Sequence, residues 1–194
     1  MNKFKGTGVA LITPFNEDGK VDFSGLQKLV DFQIKNDTNY LVVQGTTAES
    51  ATLSEEEKKA IIEYILEINS KRIPVVLGVG GNNTKEVAKK IDFFSSYKID
   101  GFLSVSPYYN KPTQMGLIEH YKVISSATDL PILLYNVPGR TSSNISSVTT
   151  LKLANEISNI VGIKEASGNL EQIMNLIANK PEDFLVISGD DALT

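Results

Sequence analysis

Seven short apolar runs most constrain what this chain can become. They are "GVALITP" at 8–14, "YLVVQG" at 40–45, "IPVVLGVG" at 73–80, "GFLSVSP" at 101–107, "LPILLYNVP" at 130–138, "IVGIKEAS" at 160–167 and "FLVISG" at 184–189. Their hydrophobicity is nearly continuous rather than alternating, as in parallel strands covered on both faces. Helical stripes lie between them. Leu26, Leu29, Val30 and Ile34 form one; Ile61, Tyr64, Ile65 and Ile68 the next. Val87, Ile91 and Phe94 mark a third, and Leu117, Ile118, Tyr121 and Ile124 a fourth. Leu151, Ala154 and Ile157 make a weaker fifth, with Leu170, Ile173, Met174 and Ile177 as a sixth. All six are read as core packing. "SEEE" at 54–57 predicts a capping box from Ser54 to Glu57, and "NTKE" at 83–86 the same from Asn83 to Glu86. Each strand–helix unit takes about 25 to 35 residues, as a βαβ array requires.

Seven such units favour an α/β fold of the (β/α)8 TIM-barrel type over a doubly wound sheet, whose two parallel edges are hard to protect. A complete barrel takes about 250 residues, and this chain has 194. The expectation is a single domain over 1–194, a TIM barrel truncated after its seventh strand. No linker, charge block or low-complexity segment divides the chain.

Composition narrows the chemistry. A formal net charge of −4, with no basic cluster, argues against nucleic acid or an acidic membrane as partner. The absence of cysteine removes disulfides, thiolate metal sites and a cysteine nucleophile, and fits a reducing cytosol. The first apolar run is too short to span a membrane and lacks a signal-peptide pattern.

In a barrel, βα loops at the C-terminal ends of the strands build active sites. "GTTAES", "GVGGNNT", "SPYYNKP", "YNVPGRT", Lys164 and "SGDD" all fall at such ends. Each has a plain structural reading. Thr46 and Thr47 suit a turn beside Gly45, and Gly78, Gly80 and Gly81 suit turn geometry better than a phosphate loop. Tyr108 and Tyr109 suit packing or an interface. Tyr135 suits a core cap, and Arg140 an ion pair. Glu49, Asp190 and Asp191 do not by themselves make a metal site. His120, the only histidine, lies on a helix pattern and reads as a surface or packing residue.

Lys164 is the least comfortable of these as a structural residue, unless it is salt-bridged or reaches the surface. Strand parity puts Gly162 and Lys164 on one face, with Val161 and Ile163 on the other. Gly162 would then leave room for the lysine stem, while Glu165 projects away from it. A partly desolvated lysine has a lowered pKa and a larger neutral-amine fraction. Such an amine attacks a ketone to give an iminium, and loss of an adjacent proton gives an enamine nucleophile, with no metal or cofactor. Tyr135 could shuttle protons if a hydroxyl such as that of Thr46 supports its phenol.

"GTTAES", "SPYYNKP", "YNVPGRT" and "GIKEASGN", in this order, are together highly specific. With them the chain resembles the 4-hydroxy-tetrahydrodipicolinate (dihydrodipicolinate) synthase family, from "GTGVALITPF" to "SGDDA". That family is one of the pyruvate-dependent, Schiff-base-forming lyases that include N-acetylneuraminate lyase. The resemblance implies condensation of pyruvate with L-aspartate 4-semialdehyde in the diaminopimelate route to lysine. It makes Lys164 the Schiff-base lysine and Tyr135 the proton donor and acceptor. Thr46 and Tyr109 become relay partners, the second tyrosine being supplied across a dimer interface. Thr47 becomes the pyruvate-carboxylate holder, Arg140 the binder of the semialdehyde carboxylate, and Gly189 a lining residue. A homodimer, or a dimer of dimers, is implied. Strand eight and a C-terminal helical region, which the resemblance also implies, are expected to be absent from the 194 residues.

For lysine feedback, Ser50, Ala51, Asn82, Glu86 and Tyr108 match the inhibitor-site pattern. Glu55 and Lys58 stand where lysine-sensitive members often carry histidines, so strong inhibition is not expected. Ala48 replaces a commoner glycine, which is tolerable if the backbone there is not left-handed. The alternatives are an N-acetylneuraminate lyase or 2-keto-3-deoxy-sugar-acid aldolase, and an inactive truncated or regulatory barrel protein.

Overall fold

The computed structural model describes residues 3–193, which form two compact units: 3–78 with 98–100, and 79–97 with 101–193. The first carries β1 (Gly8–Ala10), α1 (Phe23–Lys35), β2 (Tyr40–Val43), α2 (Glu55–Asn69) and β3 (Val75–Gly78). β2 pairs in parallel with both neighbours, Val9 lying opposite Leu41 and Leu41 opposite Val75. β1 is shorter than its apolar run. Leu11 N still reaches Val42 O at 3.0 Å, but the ladder then ends. Thr13 turns its hydroxyl to Ala48 O at 2.8 Å, and Pro14 has no N–H to offer a ladder.

The helix starts in this unit follow local chemistry. Asp22 caps α1 by accepting from Gly25 N at 2.9 Å. At α2 the expected capping box is complete: Ser54 Oγ accepts from Glu57 N at 3.1 Å, and Glu57 Oε2 from Ser54 N at 2.8 Å. Glu55, Glu56 and Glu57 occupy its first turn, where carboxylates suit the positive end of the helix dipole. Leu26, Val30, Ile61 and Ile65 of the expected stripes are buried.

The second unit carries α3 (Thr84–Ser95), β4 (Gly101–Val105), α4 (Gln114–Ser125), β5 (Ile132–Asn136), α5 (Pro138–Thr141), α6 (Ser147–Glu156), β6 (Ile160–Glu165), α7 (Leu170–Asn179) and β7 (Leu185–Ser188). β4 pairs with β5, β5 with β6 and β6 with β7, all in parallel. Seven parallel strands separated by helices thus run through the described residues, the α/β class of a (β/α)8 barrel carrying seven of its strands.

Three local expectations need correction. Asn83 caps α3 by accepting from Glu86 N at 3.5 Å, but the box is half made, because the Glu86 carboxylate pairs with Lys89 at 2.8 Å instead. In α6 the core face is Thr149, Thr150 and Leu153 rather than Leu151, Ala154 and Ile157; the helix ends at Glu156, leaving Ile157 as its cap. In α7 the expected apolar stripe is largely outside. Leu170, Met174 and Ile177 are exposed, while Gln172 and Leu176 are buried. Gln172 turns inward because a buried carboxylate receives its amide.

Candidate active site

The register of β5 on β6 decides which side chains meet. An extra residue is accommodated between the pairs Ile132–Ile160 and Leu133–Gly162. This bulge lets Tyr135 lie directly opposite Lys164, and Asn136 opposite Glu165. Successive side chains alternate between faces, so Tyr135 and Lys164 share one face while Asn136 and Glu165 share the other.

On the first face, Lys164 Nζ lies 4.7 Å from the centroid of the Tyr135 ring, within cation–π range. Tyr135 is buried. Among the described residues Lys164 has no ion pair, which removes the salt-bridged reading of this lysine. Burial holds the Lys164 ammonium below the usual lysine range, and the negative charge of Asp191 partly opposes that shift. The net effect enlarges the fraction of neutral amine, the form able to attack a carbonyl.

Gly162 does not make room for this lysine as parity suggested. A Cβ there would meet Leu133 Cδ2, Leu185 Cβ and Leu185 O, each at 2.9 Å. The glycine against the lysine stem is Gly189, where a Cβ would come within 2.9 Å of Lys164 Cε and 3.2 Å of its Cγ. Gly189 is held there by its N–H, which donates to Glu165 O at 2.8 Å. Tyr135, Lys164 and Gly189 are thus brought together.

The opposite face carries polar residues that the motifs did not single out. Glu165 is 2% exposed, yet its carboxylate is fully engaged by neutral donors. Asn136 Nδ2 reaches both of its oxygens at 3.0 Å, Gln172 Nε2 donates at 2.9 Å and Ser167 N at 2.8 Å. Asn136 Nδ2 also donates to Asn144 Oδ1 at 2.8 Å, and Asn136 Oδ1 accepts from Ile145 N at 2.9 Å. The available signal was positional: Asn136 and Glu165 each follow the pair residue in their strand, so one register that joins Tyr135 to Lys164 joins them too.

The remaining candidates of this unit lie on loops. Tyr109 is 88% exposed, with φ 73°, and Asn110 N donates to Tyr108 O at 2.9 Å across it. This is a γ-turn with a positive-φ centre, a strained conformation that concentrates at functional sites. Tyr109 makes no hydrogen bond or ring contact with Lys164 or Tyr135 among the described residues. Tyr108 is exposed beside it. Arg140 sits exposed on α5, which Pro138 starts and Ser142, at φ 54°, stops. Its guanidinium has no ion pair among the described residues, contrary to its structural reading. Asn82 and Glu86 are exposed at the start of α3.

His120 is a packing residue. It is buried, with Nδ1 at 2.9 Å from Thr84 Oγ1, and desolvation lowers its pKa to about 4.

In the first unit, Thr46 and Thr47 are exposed on a 3-10 turn over Thr46–Ala48. The left-handed residues flanking it are Gln44 and Glu49. Ala48 is not left-handed, so its methyl group costs no backbone strain there. Ser50 and Ala51 lie on the next 3-10 turn, Ser50–Thr52. Glu55 and Lys58 pair with each other at 3.0 Å.

Among the described residues no three His, Cys, Asp or Glu side chains gather as metal ligands would. No helix there is long and apolar enough to cross a membrane.

Residues 3–194 match the family described as the Dihydrodipicolinate synthetase family. The chain is 57% identical over 190 residues to a 4-hydroxy-tetrahydrodipicolinate synthase of Parabacteroides distasonis, covering 98% of this chain and 64% of that protein. Among solved structures it is similar to dihydrodipicolinate synthase from Aquifex aeolicus, with 46% identity and a TM-score of 0.94 over 98% of this chain and 65% of that one. The enzyme from Cyanidioschyzon merolae, solved with lysine bound, superposes with a TM-score of 0.96 at 40% identity, covering all of this chain and 66% of the other. The chain spans just under two thirds of the length of these relatives.

Proposed function

Because the chain belongs to the dihydrodipicolinate synthetase family, we propose that it serves the class I aldolase-type condensation of pyruvate with L-aspartate 4-semialdehyde, through a Schiff base on Lys164. The observation that carries this reading is the state of Lys164. Its amine is desolvated, free of any ion pair among the described residues and set over the Tyr135 ring. A lysine held for structure has a partner; a lysine held for nucleophilic attack needs its neutral form.

The amine adds to C2 of pyruvate, and loss of water leaves an iminium. Loss of a C3 proton gives the enamine, whose C3 attacks the semialdehyde carbonyl and leaves a hydroxyl at the new bond. The semialdehyde's own amine then replaces Lys164 at C2, closing the ring of 4-hydroxy-tetrahydrodipicolinate and freeing the lysine. One water is released in total. Tyr135 is the proton donor and acceptor in this reading, with Thr46 and Tyr109 as relay partners and Thr47 as holder of the pyruvate carboxylate. Arg140, exposed and without an ion pair among the described residues, is assigned to the semialdehyde carboxylate, which its fork of donors suits. The chemistry uses the protein's own amine and no separate cofactor.

We assign a homodimer as the minimum functional unit, with a dimer of dimers compatible, because Tyr109 projects from its γ-turn into solvent. Ser50, Ala51, Asn82, Glu86 and Tyr108 are assigned to a lysine inhibitor. The Glu55–Lys58 pair stands where histidines are expected in sensitive members, so inhibition is expected to be weak.

The test is to supply pyruvate with L-aspartate 4-semialdehyde and identify the product by mass. A product equal to both substrates less one water supports the reading. Cleavage of N-acetylneuraminate or of a 2-keto-3-deoxy sugar acid, without that product, overturns it.

A further inference from the structure

Glu165 occupies a position that the proposed chemistry leaves without a role. Its side chain and backbone bond to residues on or beside β5, α7, the β6–α7 loop and β7. The carboxylate binds Asn136 at the end of β5, Gln172 on α7 and Ser167 N in the loop between β6 and α7. Its carbonyl accepts from Gly189 N after β7, the glycine whose missing Cβ admits the Lys164 stem. Ala166 N donates to Asn136 O at 2.8 Å, closing the same rung from the other side. No lysine or arginine pairs with the carboxylate among the described residues. An uncompensated carboxylate at 2% exposure is costly unless every lone pair is used. An apolar pair would fill the same space without that cost. An alternative that is dearer to keep needs a reason, and the reason lies in the register.

Dispersion contacts between apolar side chains tolerate small slides, whereas a two-oxygen clamp on one amide does not. We propose that Glu165 is a positioning residue whose clamp on Asn136 and Gln172 fixes the ends of β5 and β6, and thereby the placement of Lys164 over Tyr135 on the reverse face. Tyr135–Lys164 and Asn136–Glu165 are successive rungs of one ladder. A shift at the second rung is therefore transmitted to the first through a single peptide unit in each strand. The inference rests on the reading of Lys164 as the imine-forming lysine.

The test uses Glu165→Gln, and Asn136→Asp combined with Glu165→Gln. The single change replaces one acceptor oxygen by an NH2 that faces the Asn136 and Gln172 donors. The double change restores a carboxylate–amide pair with the roles exchanged. The Ile145 N–H keeps its acceptor, and the Asn144 and Gln172 amides turn together, because Asn144 Nδ2 donates to Gln172 Oε1 at 3.0 Å. Two quantities are read well below each variant's melting temperature, so that loss of folded protein does not enter. The first is the rate of pyruvate trapping on Lys164 with cyanoborohydride. The second is the pH profile of Lys164 acetylation by acetic anhydride, resolved by peptide mapping, which needs no pyruvate.

Glu165→Gln is expected to slow trapping by about tenfold or more, as small misplacements of reacting groups do. It is also expected to move the acetylation profile to higher pH as the lysine stem regains water. The double variant recovers most of both. A folded Glu165→Gln protein with wild-type trapping and a wild-type acetylation profile overturns the proposal. If the wild type itself traps no pyruvate, the imine reading fails, and the acetylation profile alone decides the positioning role. If Glu165→Gln does not fold, Gln172→Met removes one donor at similar volume and carries the same expectation and the same refutation.

Discussion

Gly189→Ala offers a graded test of how closely Lys164 is held. The added methyl would sit 2.8 Å from Ala166 Cβ, 2.9 Å from Lys164 Cε and 3.2 Å from Lys164 Cγ. Carbon atoms settle at about 3.5 to 4.0 Å, so the shortfall against Ala166 is at least about 0.7 Å. The backbone itself accepts alanine, because Gly189 does not lie among the positive-φ residues. Nor can the strands easily part. Gly189 N is bonded to Glu165 O, and Ala166 N to Asn136 O, both at 2.8 Å. The lysine stem can swing aside, whereas Ala166 Cβ is fixed to its backbone, so part of the clash stays. Stability should fall by about 1 to 3 kcal/mol, the usual cost of overpacking. Displacement of the amine by several tenths of an ångström should slow its reaction by about tenfold or more. The assay pairs a melting curve with the rate of borohydride-trapped pyruvate adduct at saturating pyruvate. A Gly189→Ala protein that traps at the wild-type rate would refute the claim that Gly189 makes room for Lys164.

Two further outcomes are expected from the same structure. The folded-state pKa of His120 is lowered to about 4 from an ordinary 6.5 by burial. Above pH 6.5 both states hold it neutral. Between about 4 and 6.5 the unfolded chain takes up a proton that the folded one refuses, so stability falls with pH by about 1.4 kcal/mol per unit, about 3 kcal/mol in all, and levels off below 4. Denaturant titrations of wild type and His120→Gln across this window should differ by that amount, and parallel curves would contradict it. Tyr135→Phe keeps the ring beneath Lys164 Nζ but removes the phenol. Condensation should slow by about 10²- to 10⁴-fold, as for loss of a general acid–base group, with the melting temperature nearly unchanged. A wild-type condensation rate would remove Tyr135 from the proton path.

The α/β class, the strand count and most helix stripes were legible because continuous apolar runs and 3.6-residue periods are local signals. The capping box at Ser54 was legible for the same reason. Register was not. Parity within β6 correctly separated Lys164 from Glu165, but it took Gly162 for the residue that admits the lysine stem. Only the pairings of β6 with β5 and β7 show that Leu133 and Leu185 fill that space and that Gly189 faces the lysine. The same limit hid the Asn136–Glu165 rung, since neither residue belongs to a pattern until the strands are aligned. In α7 hydrophobicity pointed the wrong way. Leu170, Met174 and Ile177 form the apolar stripe, yet Gln172 is inside because the Glu165 carboxylate offers it a bond worth more than solvent. Chemical roles were legible as residue types at strand ends, and the contacts that tune them were not.

Lys164 is the nucleophile on which the proposed condensation depends. Protein incubated with pyruvate and reduced with borohydride should gain one 1-carboxyethyl group by intact mass, mapped to the peptide containing Lys164 and absent from Lys164→Ala. An adduct on another lysine, or no adduct on folded protein, would contradict it.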